Sequence, residues 1–430
     1  MKTELFSHRR AIEEQQLQRL NQLLLRIGEC NPFYRNKLQQ SGIRVPCSSL
    51  EEFFHRMPFT TKQEIVEDQL QHPLYGTILS EPLENYVRFH QTSGTTSRPL
   101  RWLDTRESWG WVVNNWKIIY EAVGVTAGDT VFFAFSFGPF LGFWSAMDAA
   151  QELGCLCIAG GGMSSTARLA SLLENQATVL CCTPTYALHL ATVAEQEKLS
   201  LERSRVHSII VAGEPGGSLP AVRNRIESVW RGARVYDHHG MTEVGPVSYE
   251  SRTHPGVLHI IESSYLAEVL DPETGKPVSE GERGELILTT LGRSASPLIR
   301  YRTGDLVQPS WKGAAEYGRD DLALIGGILG RADDMVQVRG VNVYPSLIED
   351  VVRACEGIAE YQVRIEDQNA LPEMTIQVEI LPDYNSSDAV RKIQTALRNT
   401  LNLRVPVQVM PPESLPRYEM KARRWIRKSD

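Results

Sequence analysis

The sequence predicts an α/β fold: a large N-terminal region of parallel α/β sheet plus a β region, then a small α+β domain. Three observations carry this. Between Thr130 and Trp230 four short apolar runs alternate with four helical patterns, at the spacing of βαβ units that build parallel sheet. Residues 247–310 change to short segments of alternating polarity between turn sequences, the pattern of antiparallel strands. Beyond Leu329 a third pattern starts, about a hundred residues long and so of ordinary domain size. The boundary falls between Leu329 and Asp333, which divides the chain into residues 1–329 and 330–430.

The chain opens on a helical pattern and then enters a polar stretch, Met57–Gln71, that reads as irregular. Strands follow at Thr130–Phe135, Cys155–Ile158, Val179–Cys182 and Ser208–Ala212. Helices are expected between them at Leu141–Leu153, Thr166–Gln176, Tyr186–Gln196 and Leu219–Trp230. Ser164 and Ser165 suit the N-cap of the second, because a short hydroxyl side chain accepts from the first turn. In the β region Glu285–Thr289 alternates and Pro272–Gly275 is a turn. The third pattern runs strand Met335–Arg339, helix Ser346–Cys355, strands Tyr361–Ile365 and Met374–Ile380, helix Asp388–Leu401 and strand Val405–Val409. Pro345 stands just ahead of the first of these helices, where its fixed φ is tolerated. The basic stretch Lys421–Lys428 reads either as a solvated face or as an anion-binding one.

Composition narrows the function. A hydrophobic share of 42% with 23% charged residues is the profile of a soluble globular protein, and a formal charge of -7 argues against general nucleic-acid binding. The cysteines form no CxxC pair, so neither a disulfide framework nor a zinc site is suggested. The N-terminal segment is charged and lacks the apolar core of a signal peptide. The most apolar stretch, Val131–Met147, is broken by Ser136, Gly138, Pro139 and Ser145, so it does not read as a membrane span. A cytoplasmic location is expected.

Several segments could carry chemistry. Gln91–Pro99 clusters hydroxyls around Gly94 ahead of Arg98, a composition able to wrap phosphate oxygens or simply to form a Ser/Thr-rich surface loop. It is not a Walker A sequence. Tyr236–Glu243 follows a β-type run; Thr242 offers a hydroxyl and Glu243 a hard oxygen suited to Mg²⁺. The adjacent His238 and His239 do not suggest a shared metal, because neighbours in a strand face opposite ways. Asp305, after Gly304, could accept both hydroxyls of a ribose or be an ordinary turn residue. Gly330–Gly340 lies on the domain boundary, and Leu415–Arg424 is a basic tail.

Taken in order, these segments resemble the adenylate-forming superfamily of acyl-CoA synthetases, luciferases and peptide-synthetase adenylation domains. They are most similar to its phenylacetate-CoA ligase branch. The cues for that branch are RMPFTTK at Arg56–Lys62, AGEP at Ala212–Pro215, PLIRYRTGD at Pro297–Asp305, GRADDMVQVRGVNVYP at Gly330–Pro345, and LPRYEMKARR from Leu415. The likeness spans Phe33 to Arg427.

The resemblance implies ATP-dependent activation of a carboxylic acid as its acyl-adenylate, then transfer to coenzyme A, or alternatively to a carrier-protein thiol or an amine. By it, Ser93, Gly94, Thr95 and Thr96 cradle the ATP phosphates, and Gly213, Glu214 and Pro215 line the adenine and acyl pockets. Asp237 meets the adenine amino group, with His238, His239, Gly240 and Met241 completing that segment. Thr242 contacts the α-phosphate, Glu243 holds Mg²⁺, Asp305 binds the ribose and Arg331 lies near ribose and phosphate. Asp333 is the hinge of a mobile C-terminal domain, and Lys421 bridges the carboxylate and the α-phosphate. A compact cation on a long stem suits that task, because two anions must be brought together.

Departures from the family pattern are Ser97-Arg98 in place of Gly-Lys, and Met420 before the lysine. Relatives that bind zinc use cysteines where this chain has Glu250-Ser251 and Glu316–Arg319, so no structural zinc is expected. Phe135, Phe137 and Phe140, with Gly213, His239 and Gly240, are candidates for the acyl pocket, and the family likeness favours an aromatic acid. His238 or His239 could recognise a ring substituent. Relatives are often homodimers.

Overall fold

The computed structural model describes residues 2–92, 99–332, 334–339, 341–368, 371–401, 403–418 and 422–428. Its contacts fall into two units, Met1–Gly161 with Tyr236–Gly327, and Gly162–Val235 with Ile328–Asp430.

The first unit opens on the helix Lys2–Cys30, which buries Leu20, Leu23, Leu24 and Ile27, one stripe at helical spacing. Gln16 of this helix donates to the carbonyls of Glu262 and Tyr265, at 3.2 and 2.9 Å. The stretch Met57–Gln71 is not irregular: Lys62–Gln71 is a helix, started by a capping box between Thr61 and Glu64. Its period is hidden because its buried side is small, Ile65 and Asp68. An antiparallel hairpin, Tyr86–Gln91 with Arg101–Thr105, leads into the helix Arg106–Val123. Thr130–Phe133 and Leu156–Ala159 then pair in parallel, joined through the helix Trp144–Glu152, which begins later than its apolar pattern suggests. The β region holds three antiparallel strands, Tyr265–Leu270, Gly284–Thr290 and Tyr301–Val307. A second antiparallel sheet orders Ser248–Glu250, Val257–Ile260, Ala323–Ile325 and Pro309–Ser310.

The second unit contains the parallel pair Val179–Cys182 and Ser208–Val211 and the helices Ser165–Glu174, Pro184–Gln196 and Pro220–Val229. Ser164 is the N-cap of the first helix, accepting from Ala167 N–H. Its C-terminal part is a four-stranded mixed sheet in the order Val407–Met410, Leu371–Ile380, Ile358–Gln368, Trp425–Lys428. The helices Pro345–Arg353 and Ser386–Leu401 share its core through Ile348, Val352, Ile393 and Leu397. In the basic tail Arg424 is buried, while Arg423, Ile426 and Arg427 are exposed. Trp425–Lys428 runs parallel to Ile358–Gln368, with Trp425 opposite Val363. Four residues are too few to show a strand period against so many cations. Among the described residues no helix is long and apolar enough to cross a membrane.

Candidate functional site

In the first unit the short strands Gly240–Met241 and Gly245–Pro246 pair closely. A Cβ at position 240 would lie 2.8 Å from the Gly245 carbonyl oxygen, so only glycine fits there. The turn between these strands carries Thr242 and Glu243. Glu243 is 3% exposed. Its Oε1 lies 3.2 Å from Lys62 Nζ and 3.5 Å from the Tyr301 hydroxyl. The carbonyls of Thr242 and Glu243 both accept from Arg293 Nη1, at 2.9 Å each.

His238 and His239 lie in the connection between the strands Arg234–Asp237 and Gly240–Met241, and their rings diverge. His238 meets Trp116 edge-on, with ring centroids 4.5 Å apart, and its Nδ1 has no hydrogen-bond partner among the described residues. Burial, with His239 beside it, lowers its pKa to about 3, so the ring is neutral. His239 turns the other way, Nε2 lying 2.9 Å from Asp305 Oδ2. Asp305 is no turn residue: it sits within the strand Tyr301–Val307 and is 4% exposed. Asp237 N–H donates to Glu250 at 2.8 Å, and the other oxygen of that carboxylate accepts from Gly256 N–H at 3.2 Å.

Phe135, Phe137 and Phe140 are half-buried, whereas Phe132, Phe133 and Phe143 are fully buried. Rings follow one another without a break from Phe137 to Phe135, Phe143 and Trp116, at centroid distances of 5.7, 5.6 and 5.9 Å, and end on His238. Gly142 keeps this path open, since a Cβ there would come within 2.0 Å of the Phe135 ring.

In the second unit Gly213, Glu214 and Pro215 follow the strand Ser208–Val211. The Glu214 carboxylate accepts from Thr185 N–H in the first turn of the helix Pro184–Gln196, at 2.8 Å, and from Ala422 N–H, also at 2.8 Å. Arg424 is buried against Glu360, at 2.8 and 3.2 Å, and reaches Glu349 and Thr185 at 3.3 Å. Burial opposes its charge, but Glu349, Tyr361 and Glu360 outweigh it and raise its pKa. Arg331 lies in the short strand Gly330–Arg331. Ser93, Gly94, Thr95, Thr96, Asp333 and Lys421 lie outside the described residues. Thr92 and Leu100, which flank the first group, are joined by the Thr92 N–H to Leu100 carbonyl bond at 3.0 Å.

Two members of the first-unit constellation were not singled out by sequence: Arg293, and Lys62, which entered only as part of a family motif. Each meets its partner across a long stretch of chain, so no local pattern marks it. One buried carboxylate beside a hydroxyl is a donor set that fits Mg²⁺, which is commonly held through one or two carboxylates plus substrate phosphates. His254 and His259, read from the sequence as ordinary hydrogen-bonding residues, sit against aromatic rings, His259 stacked on Tyr249 at 5.4 Å and His254 edge-on to Tyr317 at 5.6 Å, and His254 Nδ1 lies 2.9 Å from the Thr253 hydroxyl.

A model of the AMP-binding enzyme family matches residues 59–292, and one of the AMP-binding enzyme C-terminal domain matches residues 340–428. Phenylacetate-coenzyme A ligase of Thermus thermophilus is 31% identical over 95% of this chain and 94% of its own length. The enzyme of that name from Escherichia coli K12 is 29% identical over 95% and 92%. Among solved structures, 2-hydroxyisobutyryl-CoA ligase in its postadenylation state superposes with a TM-score of 0.90 at 31% identity, covering 97% of this chain and 89% of that one. The same ligase in its thioesterification state gives 0.72, at 31% identity over 96% and 89%. The chain belongs to the AMP-binding enzyme family of adenylate-forming enzymes, in the branch that holds the phenylacetate-coenzyme A ligases.

Proposed function

We propose that this chain is an AMP-forming acid–CoA ligase for an aromatic carboxylic acid. In the first half-reaction a carboxylate oxygen bonds to the α-phosphorus of ATP, the bond to the β-phosphate bridge breaks, and pyrophosphate leaves. In the second the thiol sulfur of coenzyme A bonds to the acyl carbon, AMP leaves, and the thiol proton is released. The domain boundary near Asp333 and the role of Lys421 belong to the same proposal.

The observation that carries the acid class is the run of rings from Phe137 to Trp116, ending on a neutral, buried His238. An apolar wall of rings tilted edge to face can meet an aryl group by area and in the same edge-to-face geometry. The His238 Nδ1 at its end, without a hydrogen-bond partner among the described residues, suits a hydrogen-bonding ring substituent. Thr242 would contact the α-phosphate and Glu243 would hold Mg²⁺, and the ion would supply positive charge against the phosphate anions. Lys62 offsets the Glu243 charge in the meantime. His239 orients Asp305, whose carboxylate would take the ribose hydroxyls.

The test is acid-dependent pyrophosphate exchange over a panel holding phenylacetate, benzoate, hydroxy- and amino-benzoates and 2-hydroxyisobutyrate, with AMP release measured with and without coenzyme A. Aryl acids should lead the panel and free coenzyme A should yield thioester. Preference for the small aliphatic acid, or exchange without any thioester, would overturn the proposal. Lys421→Ala should abolish exchange.

A further inference from the structure

We propose that Arg293, balanced by Asp104, is a positioning residue for the first half-reaction and sets the turn that carries Thr242 and Glu243. This rests on the reading of those two residues as phosphate and cation ligands. Neither side chain of the pair has any exposed surface. Arg293 Nε and Nη2 donate to the two carboxylate oxygens of Asp104 at 2.8 and 2.5 Å, a fork against a fork. Nη1 then points one way only, because the guanidinium is planar and rigid. It donates to the carbonyls of both Thr242 and Glu243 at 2.9 Å.

The surroundings leave the group little play. Trp102 lies under the guanidinium, 5.6 Å from its carbon to the ring centroid. Trp111 fills the space beside Gly292 so closely that a Cβ there would fall 2.3 Å from the ring. Two successive carbonyls drawn to one donor bend the chain at Thr242–Glu243. The Glu243 side chain meets Lys62 and Tyr301 instead, so one face of the turn is anchored and the other carries the chemistry. Buried carbonyls need donors in any fold. A neutral donor would satisfy them; a charged arginine tied to its own carboxylate also fixes their direction. Displacing a positioned group by about 1 Å can slow a reaction about a hundredfold.

Arg293→Lys keeps the charge but cannot grip Asp104 and two carbonyls together. In the full chain, with phenylacetate as the acid, exchange at saturating ATP should fall on the order of tenfold or more, and half-saturation by Mg²⁺ should rise several-fold. These are measured where circular dichroism shows the variant folded. Thioester formation from synthetic phenylacetyl-adenylate and coenzyme A should fall less than exchange does. Asp104→Asn leaves both carbonyl contacts possible, so it should lower the melting temperature and shift the Mg²⁺ dependence in the same direction by less. It carries the test if Arg293→Lys does not fold. Exchange that drops only with the folded fraction, at unchanged Mg²⁺ half-saturation, would make the pair merely structural and overturn the proposal. A parent chain with no acid-dependent exchange would remove the adenylation reading itself.

Discussion

Acidification from pH 7 to pH 5 should destabilise the first unit through three buried imidazoles. His90, His238 and His259 are 3%, 7% and 0% exposed. Burial lowers their pKa from 6.5 to about 4, about 3 and about 4 respectively. Each stays neutral in the folded chain at pH 5 but takes up a proton once unfolded. The unfolded state then binds more protons, so stability falls as pH drops below 6.5 and keeps falling until the folded pKa is reached. Over this interval each group costs roughly 2 kcal/mol, about 6 kcal/mol for the three. Glu268 and Asp321, whose pKa burial raises, work in the opposite direction and reduce the sum. His259→Phe isolates one contribution, since a phenyl ring can keep the stack on Tyr249 but cannot take a proton. Denaturant titrations at both pH values should show the parent losing about 2 kcal/mol more than the variant across the interval. Equal losses would show that His259 is protonated as easily folded as unfolded.

Glu214→Gln leaves only one oxygen to accept from Thr185 and Ala422, and should slow pyrophosphate exchange by about three- to tenfold; an unchanged rate would mean the Ala422 contact is idle. Lys62→Met should cost about 1 kcal/mol of stability without Mg²⁺, a figure kept low because Lys62 is half exposed, with recovery when Mg²⁺ is added in a thermal melt. No recovery would argue against a cation at Glu243. Gly142→Ala drives a methyl into Phe135 from a positive-φ position and should change the ratio of kcat/KM between aryl acids several-fold, at an overpacking cost of about 1–3 kcal/mol. An unchanged ratio would take Phe135 out of the acyl pocket.

Much of this fold was legible because apolar period and capping residues agree along the chain. Val179–Cys182 and Ser208–Val211 read as strands since they are buried on both faces, and Ser164 caps the helix Ser165–Glu174. The helix Lys62–Gln71 was not legible: its start is a capping box, but its apolar side is too narrow to outvote its polar composition. Trp425–Lys428 failed for the related reason that pairing with a strand some sixty residues away leaves no local trace. At the site, Thr242, Glu243 and Asp305 stood out as chemistry-bearing types in a suggestive order. Lys62 and Arg293 did not, because a salt bridge across the fold is a tertiary fact. His238 and His239 do face different partners, but from the connection between two strands and not by alternation within one.

The Asp104–Arg293 pair has a kinetic side. It spans 189 residues. Contacts of such separation form late, because the loop they close must be ordered before they repay its entropy. Thr242 and Glu243 precede Arg293 by 51 and 50 residues, so the cation that holds their carbonyls arrives only after both are made. A chain interrupted between them carries Thr242 and Glu243 on an untethered turn. During refolding, helical signal should therefore recover ahead of activity. A half-made product would hold the pieces of the proposed nucleotide site without the order that ties them together.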